Sequence, residues 1–185
     1  MGKQHKKHNR REHLNDFHLN VAGEYVYDGA HYACQSDDAK QHRIKRAVLG
    51  MAAILIVAVI AGGCIPAPGM QNCFYVLLPY LGEFLGAGSV IWALAKLGMD
   101  WGTVREYNYK KSVAVLPVRT AVTAVFSLLG IVCELIFFFV NDHAGQTFFA
   151  LLYVLLKLTA LLSALVLRAE IMQAEWDKLP KKDSF

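Results

Sequence analysis

The chain has 185 residues, 55% of them hydrophobic, and a formal net charge of +4. The length suits one small domain, and the apolar share exceeds the roughly 45–50% of a soluble globular domain. The cations flank apolar blocks and no base-reading motif accompanies them, so nucleic acid is excluded as an expected partner and an anionic membrane surface is favoured.

Residues 1–46 form a polar, basic and His-rich N-terminal segment, expected to lie in the cytoplasm. Six of the seven histidines (His5, His8, His13, His18, His31 and His42) fall within it. The run from Lys3 to Arg11 suits a solvated tail drawn to anionic headgroups. His31 and Cys34 match no zinc spacing well, so no metal is expected. Tyr25-Val26-Tyr27 and His31-Tyr32-Ala33-Cys34 flank Asp28-Gly29, and that pattern predicts a small β-hairpin with a tight turn. The first apolar block stands behind 46 mostly polar residues, which argues against a cleavable signal peptide. The Met1-Gly2 terminus lacks the hydroxyl residue of a myristoylation signal.

Four apolar blocks follow, at about 47–64, 74–97, 117–140 and 148–168. A helix needs about 20 apolar residues to cross hydrocarbon about 30 Å thick. The blocks are continuous rather than alternating, which predicts helices and not barrel strands. The expected fold class is therefore an all-α integral membrane protein, a bundle of four transmembrane helices. Its orientation follows from the placement of Lys and Arg. Nine precede residue 47, four lie between Gly98 and Arg119, and four lie from Arg168 onward. The loops 65–73 and 141–147 carry none. Both termini are expected on the cytoplasmic side, and the short outer loops make two antiparallel helical hairpins. Trp101, Tyr107 and Tyr109 in the inner loop are placed to pack against the N-terminal hairpin. In the cytoplasmic tail, 169–185, the fourth helix is expected to continue to Trp176 and stop before Pro180.

Three ionisable residues fall well inside the blocks: Glu83, Glu134 and Lys157. A charge at the bilayer centre costs about 2.5–3.5 kcal/mol on insertion scales, so such residues turn inward and seek partners. Glu83 and Lys157 each lie nine residues from the outer end of their block, about 14 Å deep, and Glu134 about 9 Å deep. The expectation is one layer, with Lys157 paired to Glu83 first and Glu134 second. Thr123, Ser127, Gly130 and Glu134 recur at helical spacing, as do Tyr153, Lys157, Ala160 and Ala164. Gly82 and Gly86 form a GxxxG pair beside Glu83, a pattern that lets membrane helices approach closely. Pro79 is a candidate kink one turn away. Such a cluster serves either to hold helices in register or to relay a proton, ion or polar substrate.

Cys64 and Cys73 bracket the first outer loop, where a disulfide closing the hairpin and two unpaired thiols are both open readings. The four-helix disulfide-forming enzymes of bacterial membranes need a second cysteine pair, which is not found here. Small multidrug exporters carry a membrane glutamate in the first of four short helices. This first block has no charge, so the analogy carries no function. Walker, Rossmann, HExxH and GxSxG motifs are missing, and neither an enzyme nor a cofactor is expected. The expectation is a multi-pass structural, accessory or assembly module of the membrane. The alternative is a small transporter or channel built on Glu83, Glu134 and Lys157. Expected partners are the lipid bilayer and other membrane subunits or further copies of the chain. The short loops and lack of an organelle signal point to a bacterial cell membrane.

Overall fold

A computed structural model describes residues 17–19, 23, 25–27, 29–98, 101–141 and 147–179. The basic run from Lys3 to Arg11, Asp28 and most of the second outer loop lie outside the described residues.

Helix α1 (Asp38–Cys64) begins nine residues before the apolar block it contains. Its first turns are amphipathic: Ile44 and Val48, four apart, are buried while Arg43 and Arg46 stay exposed. One helix face thus carries the chain out of the polar segment into the bundle. A one-turn helix, α2 (Pro68–Asn72), sits in the first outer loop. Its leading Pro68 has φ preset for a helix start and loses no needed N–H there. Helix α3 (Phe74–Leu97) runs through Pro79 and ends at Gly98, whose φ of 72° is readily adopted only by glycine. The inner loop holds strand β4 (Thr103–Arg105) and the short helix α4 (Glu106–Lys111). Helices α5 (Leu116–Val140) and α6 (Thr147–Met172) complete the bundle. Among the described residues, α1, α3, α5 and α6 are long and apolar enough to cross a membrane. Helix α6 packs along both α1 and α5, and α5 packs along α3.

The strands depart from expectation. Strands β1 (Phe17–Leu19) and β2 (Tyr25–Tyr27) pair antiparallel with Phe17 opposite Tyr27, so the hairpin turns between them, where Gly23 has a φ of 78°. Among the described strands β2 pairs with β1 and not with the strand at His31–Cys34. A type I′ turn needs positive φ at both central residues, and among the described glycines only Gly23 and Gly98 have it. Strand β3 (His31–Cys34) instead becomes the centre of a three-stranded antiparallel sheet, with β4 on one side and β5 (Trp176–Lys178) on the other. His31 stands opposite Arg105, and Cys34 opposite Trp176. Helix α6 therefore stops at Met172 and does not continue to Trp176. The tail turns back, and the Leu179 N–H donates to the His31 carbonyl at 2.8 Å.

The sheet closes one end of the bundle, and α2 lies at the other. At the sheet end a core gathers Ile44, Val48, Leu94, Trp101, Leu116 and Leu167 from five stretches of chain. Above it Tyr32 stacks on Tyr109, ring centres 4.1 Å apart, and Tyr109 meets Trp176 at 5.9 Å. Glu106 joins α4 to β5, with Lys110 at 2.6 Å and Lys178 at 3.7 Å. The Lys110 ammonium, followed by Lys178, holds the Glu106 carboxyl below its ordinary value of 4.5, against a smaller upward push from burial. Burial, with the neighbouring Tyr32, pushes the Tyr109 phenol up.

Candidate functional site

The centre of the bundle is polar. Gly82 and Gly86 turn the small face of α3 toward α5. A methyl group on Gly82 would stand 2.5 Å from Phe126 Cδ1, and one on Gly86 would stand 2.6 Å from Thr123 Oγ1 and 3.3 Å from Thr123 Cα. Only hydrogen at these positions permits the approach, as the GxxxG spacing implies. That approach sets Glu83 against the Thr123–Ser127 face of α5, and the Ser127 hydroxyl donates to Glu83 Oε1 at 2.7 Å.

Lys157 reaches Glu83 from α6. Its ammonium forms an ion pair with Glu83 Oε2 in which Glu83 is wholly buried and Lys157 is 2% exposed. The same nitrogen lies 4.5 Å from the centre of the Tyr80 ring and 5.0 Å from that of Tyr153. Both distances are in the range of cation–π attraction. The lysine stem passes beside Gly130, where an added Cβ would lie 3.6 Å from Cε. Each charge thus has partners from other helices. The carboxylate has an ammonium and a hydroxyl, and the ammonium has a carboxylate and two ring faces. Such completeness is what offsets the desolvation of a buried pair.

Glu134 stands one helical turn beyond Gly130, toward the α2 end. Its Oε1 accepts the Gly69 N–H from α2 at 3.3 Å, and Glu134 is wholly buried. Ala67, Pro68 and Gly69 are buried with it, so α2 dips into the mouth of the bundle. A methyl group on Gly69 would collide with the Glu134 carboxylate, 3.0 Å from Cδ, and stand 3.1 Å from Phe137 Cδ1. Sequence reasoning missed this contact. The donor is a backbone N–H, and the one available signal was a Pro-Gly step in a loop of nine residues.

The two expected stripes hold. Thr123, Ser127, Gly130 and Glu134 are buried on α5, and Tyr153, Lys157, Ala160 and Ala164 are buried on α6. The Tyr153 hydroxyl is buried without a hydrogen-bond partner among the described residues. Cys64 and Cys73 are free thiols, the first exposed and the second half-buried. Among the described residues no three of His, Cys, Asp and Glu stand together as a metal site. A groove of about 410 Å³ is bordered by α5 and Arg168 and touches none of the three central charges.

Comparison with protein-family models, curated proteins and solved structures finds no match for this chain.

Proposed function

We propose that this protein is a non-enzymatic scaffold of a membrane, crossing it four times with both termini in the cytoplasm. Its central ion pair fixes the register of three helices. The observation that carries the reading is the closure of the Glu83–Lys157 pair. Glu83 is answered from α6 and α5, Lys157 from α3 and from Tyr153 on its own helix, and the groove lined by α5 and Arg168 reaches neither ion. A site that binds and releases a cargo ion needs room and an opening. A pair that holds helices together needs neither.

The distribution of polarity supports the membrane setting. The outer faces of the long helices carry large apolar side chains, with Val57 63% exposed, Leu85 71% and Phe139 80%. Glu83, Glu134 and Lys157, well within these spans, lie inside. This reverses the soluble arrangement and suits hydrocarbon as the solvent. Cations gather at the sheet end and avoid the α2 loop, which supports placing the sheet on the cytoplasmic side. A bacterial cell membrane suits loops this short. The sheet end, where aromatic side chains from three chain segments meet, is the face on which membrane subunits would assemble.

The test is to reconstitute the wild type, Glu83→Gln and Lys157→Met in liposomes and follow proton and alkali-cation flux beside unfolding. The scaffold reading expects both variants to lose stability, and all three proteins to match protein-free vesicles in flux. A wild-type flux that disappears in a still-folded Glu83→Gln protein would overturn it in favour of a small transporter using Glu83, Glu134 and Lys157.

A further inference from the structure

The groove between α5 and α6 has the dimensions and chemistry of a lipid site. Pro117, Ala121, Val122, Val125 and Phe126 line it from α5, and Arg168 lines it from α6. With Val118, the α5 residues recur as the pairs 117/118, 121/122 and 125/126, four apart, so they form one continuous stripe. From Pro117 to Phe126 the stripe spans nine residues, about 14 Å at 1.5 Å per residue. That is about the depth of one leaflet, half of a hydrocarbon core about 30 Å thick. The stripe is open to the outside, and Val122 and Val125 are about half exposed. A guest with the length of one leaflet would cover what the protein leaves bare.

The polar end of the groove is equally defined. Leu116 and Leu167 share the core cluster at the sheet end, which places Arg168 beside the Pro117 end of the stripe. Arg168 is half-buried in this otherwise apolar lining. Among the described residues it has no carboxylate within ion-pair distance. The nearby Glu170 instead lies 3.9 Å from Arg43 on α1. Arg119 is also occupied, donating to the Ser89 carbonyl at 2.6 Å. A guanidinium whose donors have no acceptor among the described residues, set at the headgroup level of a one-leaflet apolar channel, calls for a planar pairing with an oxyanion such as phosphate. We infer that the α5–α6 groove binds one anionic phospholipid, with an acyl chain along Pro117–Phe126 and the headgroup phosphate on Arg168. Basic pockets between spanning helices favour anionic headgroups for the same reason. The inference rests on the membrane reading above, but not on the role given to the ion pair.

The test uses the full chain, purified in detergent and stripped of lipid. Native mass spectrometry then follows added phosphatidylglycerol and phosphatidylcholine of equal chain length, with soluble glycerol phosphate as a third arm. The wild type should retain phosphatidylglycerol over phosphatidylcholine by about fivefold, the preference one cation near a headgroup supplies. Arg168→Gln should bring that ratio to about one, with phosphatidylcholine retention unchanged. Ala121→Trp should fill the groove and lower retention of both lipids. Equal retention by the wild type, or a preference that survives Arg168→Gln, would overturn the site. Displacement of phosphatidylglycerol by equimolar glycerol phosphate would also overturn it, because the ligand would then be a free phosphate. Because Arg168 lies far from the central pair, its variant keeps the site testable if the groove-filling protein does not fold. Glu83→Gln should leave the lipid ratio unchanged, which separates a failure of this site from a failure of the scaffold reading.

Discussion

Glu83 and Lys157 are each costly alone and tolerable together. Removing one partner leaves the other ion buried, and breaking such a pair costs about 3–5 kcal/mol. Glu83→Gln and Lys157→Met should each lower the midpoint of thermal unfolding in detergent. The double variant Glu83→Leu/Lys157→Met should recover most of the loss, because a packed apolar pair of similar volume is often as stable as the ions it replaces. A double variant as unstable as the sum of the two single ones would mean the residues act separately. Tyr153 gives the opposite case. Its buried hydroxyl has no partner among the described residues, so Tyr153→Phe should leave stability equal or raise it by about 1 kcal/mol. The same unfolding curves decide this. The ion pair was readable in advance, since a charge inside an apolar run needs an opposite charge at equal depth and Lys157 was the one cation available. The partner of Glu134 was not, because every residue except proline carries an N–H, and the letter at position 69 does not say where that N–H points.

Among the elements, the α3–α5 contact depends on absent side chains. Gly86→Leu should force the helices apart at Thr123 and withdraw Ser127 from Glu83, at a cost of about 1–3 kcal/mol for overpacking. Gly88→Leu should be nearly neutral, because nothing lies within 4 Å of an added Cβ there. Matched unfolding curves of the two variants make the comparison. At the sheet end the linkage runs through Glu106. Its carboxyl is held below the ordinary value in the folded state by Lys110 and then Lys178. The unfolded chain therefore takes up the proton first as pH falls, and the contribution of Glu106 is fully present above the ordinary value of 4.5 and lost as pH falls below it. Trp176 fluorescence should hold steady from about pH 7 to pH 5 and change below about pH 4, a step that Glu106→Gln should lack. The long helices were legible because an apolar run records its own length. Three-residue strands were not, because their pairing is non-local. Trp176 reads as the end of a helix until Cys34, 142 residues earlier, offers it an edge. The aromatic residues of the inner loop gave a partial signal, and Tyr109 does stack on a residue of β3.

For the whole molecule, orientation is the quantity on which the rest depends. In a cysteine-free background in sealed inside-in cells, Asn72→Cys should react with a membrane-impermeant maleimide. Asp177→Cys should react only after the membrane is opened. The reverse pattern would invert the bundle, and equal reactivity would give an odd number of crossings. The three-stranded sheet adds a condition to this. Its middle strand precedes the first long helix, one edge lies between the second and third, and the other follows the fourth. On the four-crossing reading proposed above, all three must arrive on the same side of the bilayer for the ladder to form. On that reading, a helix that fails to thread leaves β5 across the membrane from its neighbours. The ladder is complete only once the segments before, between and after the four long helices have met.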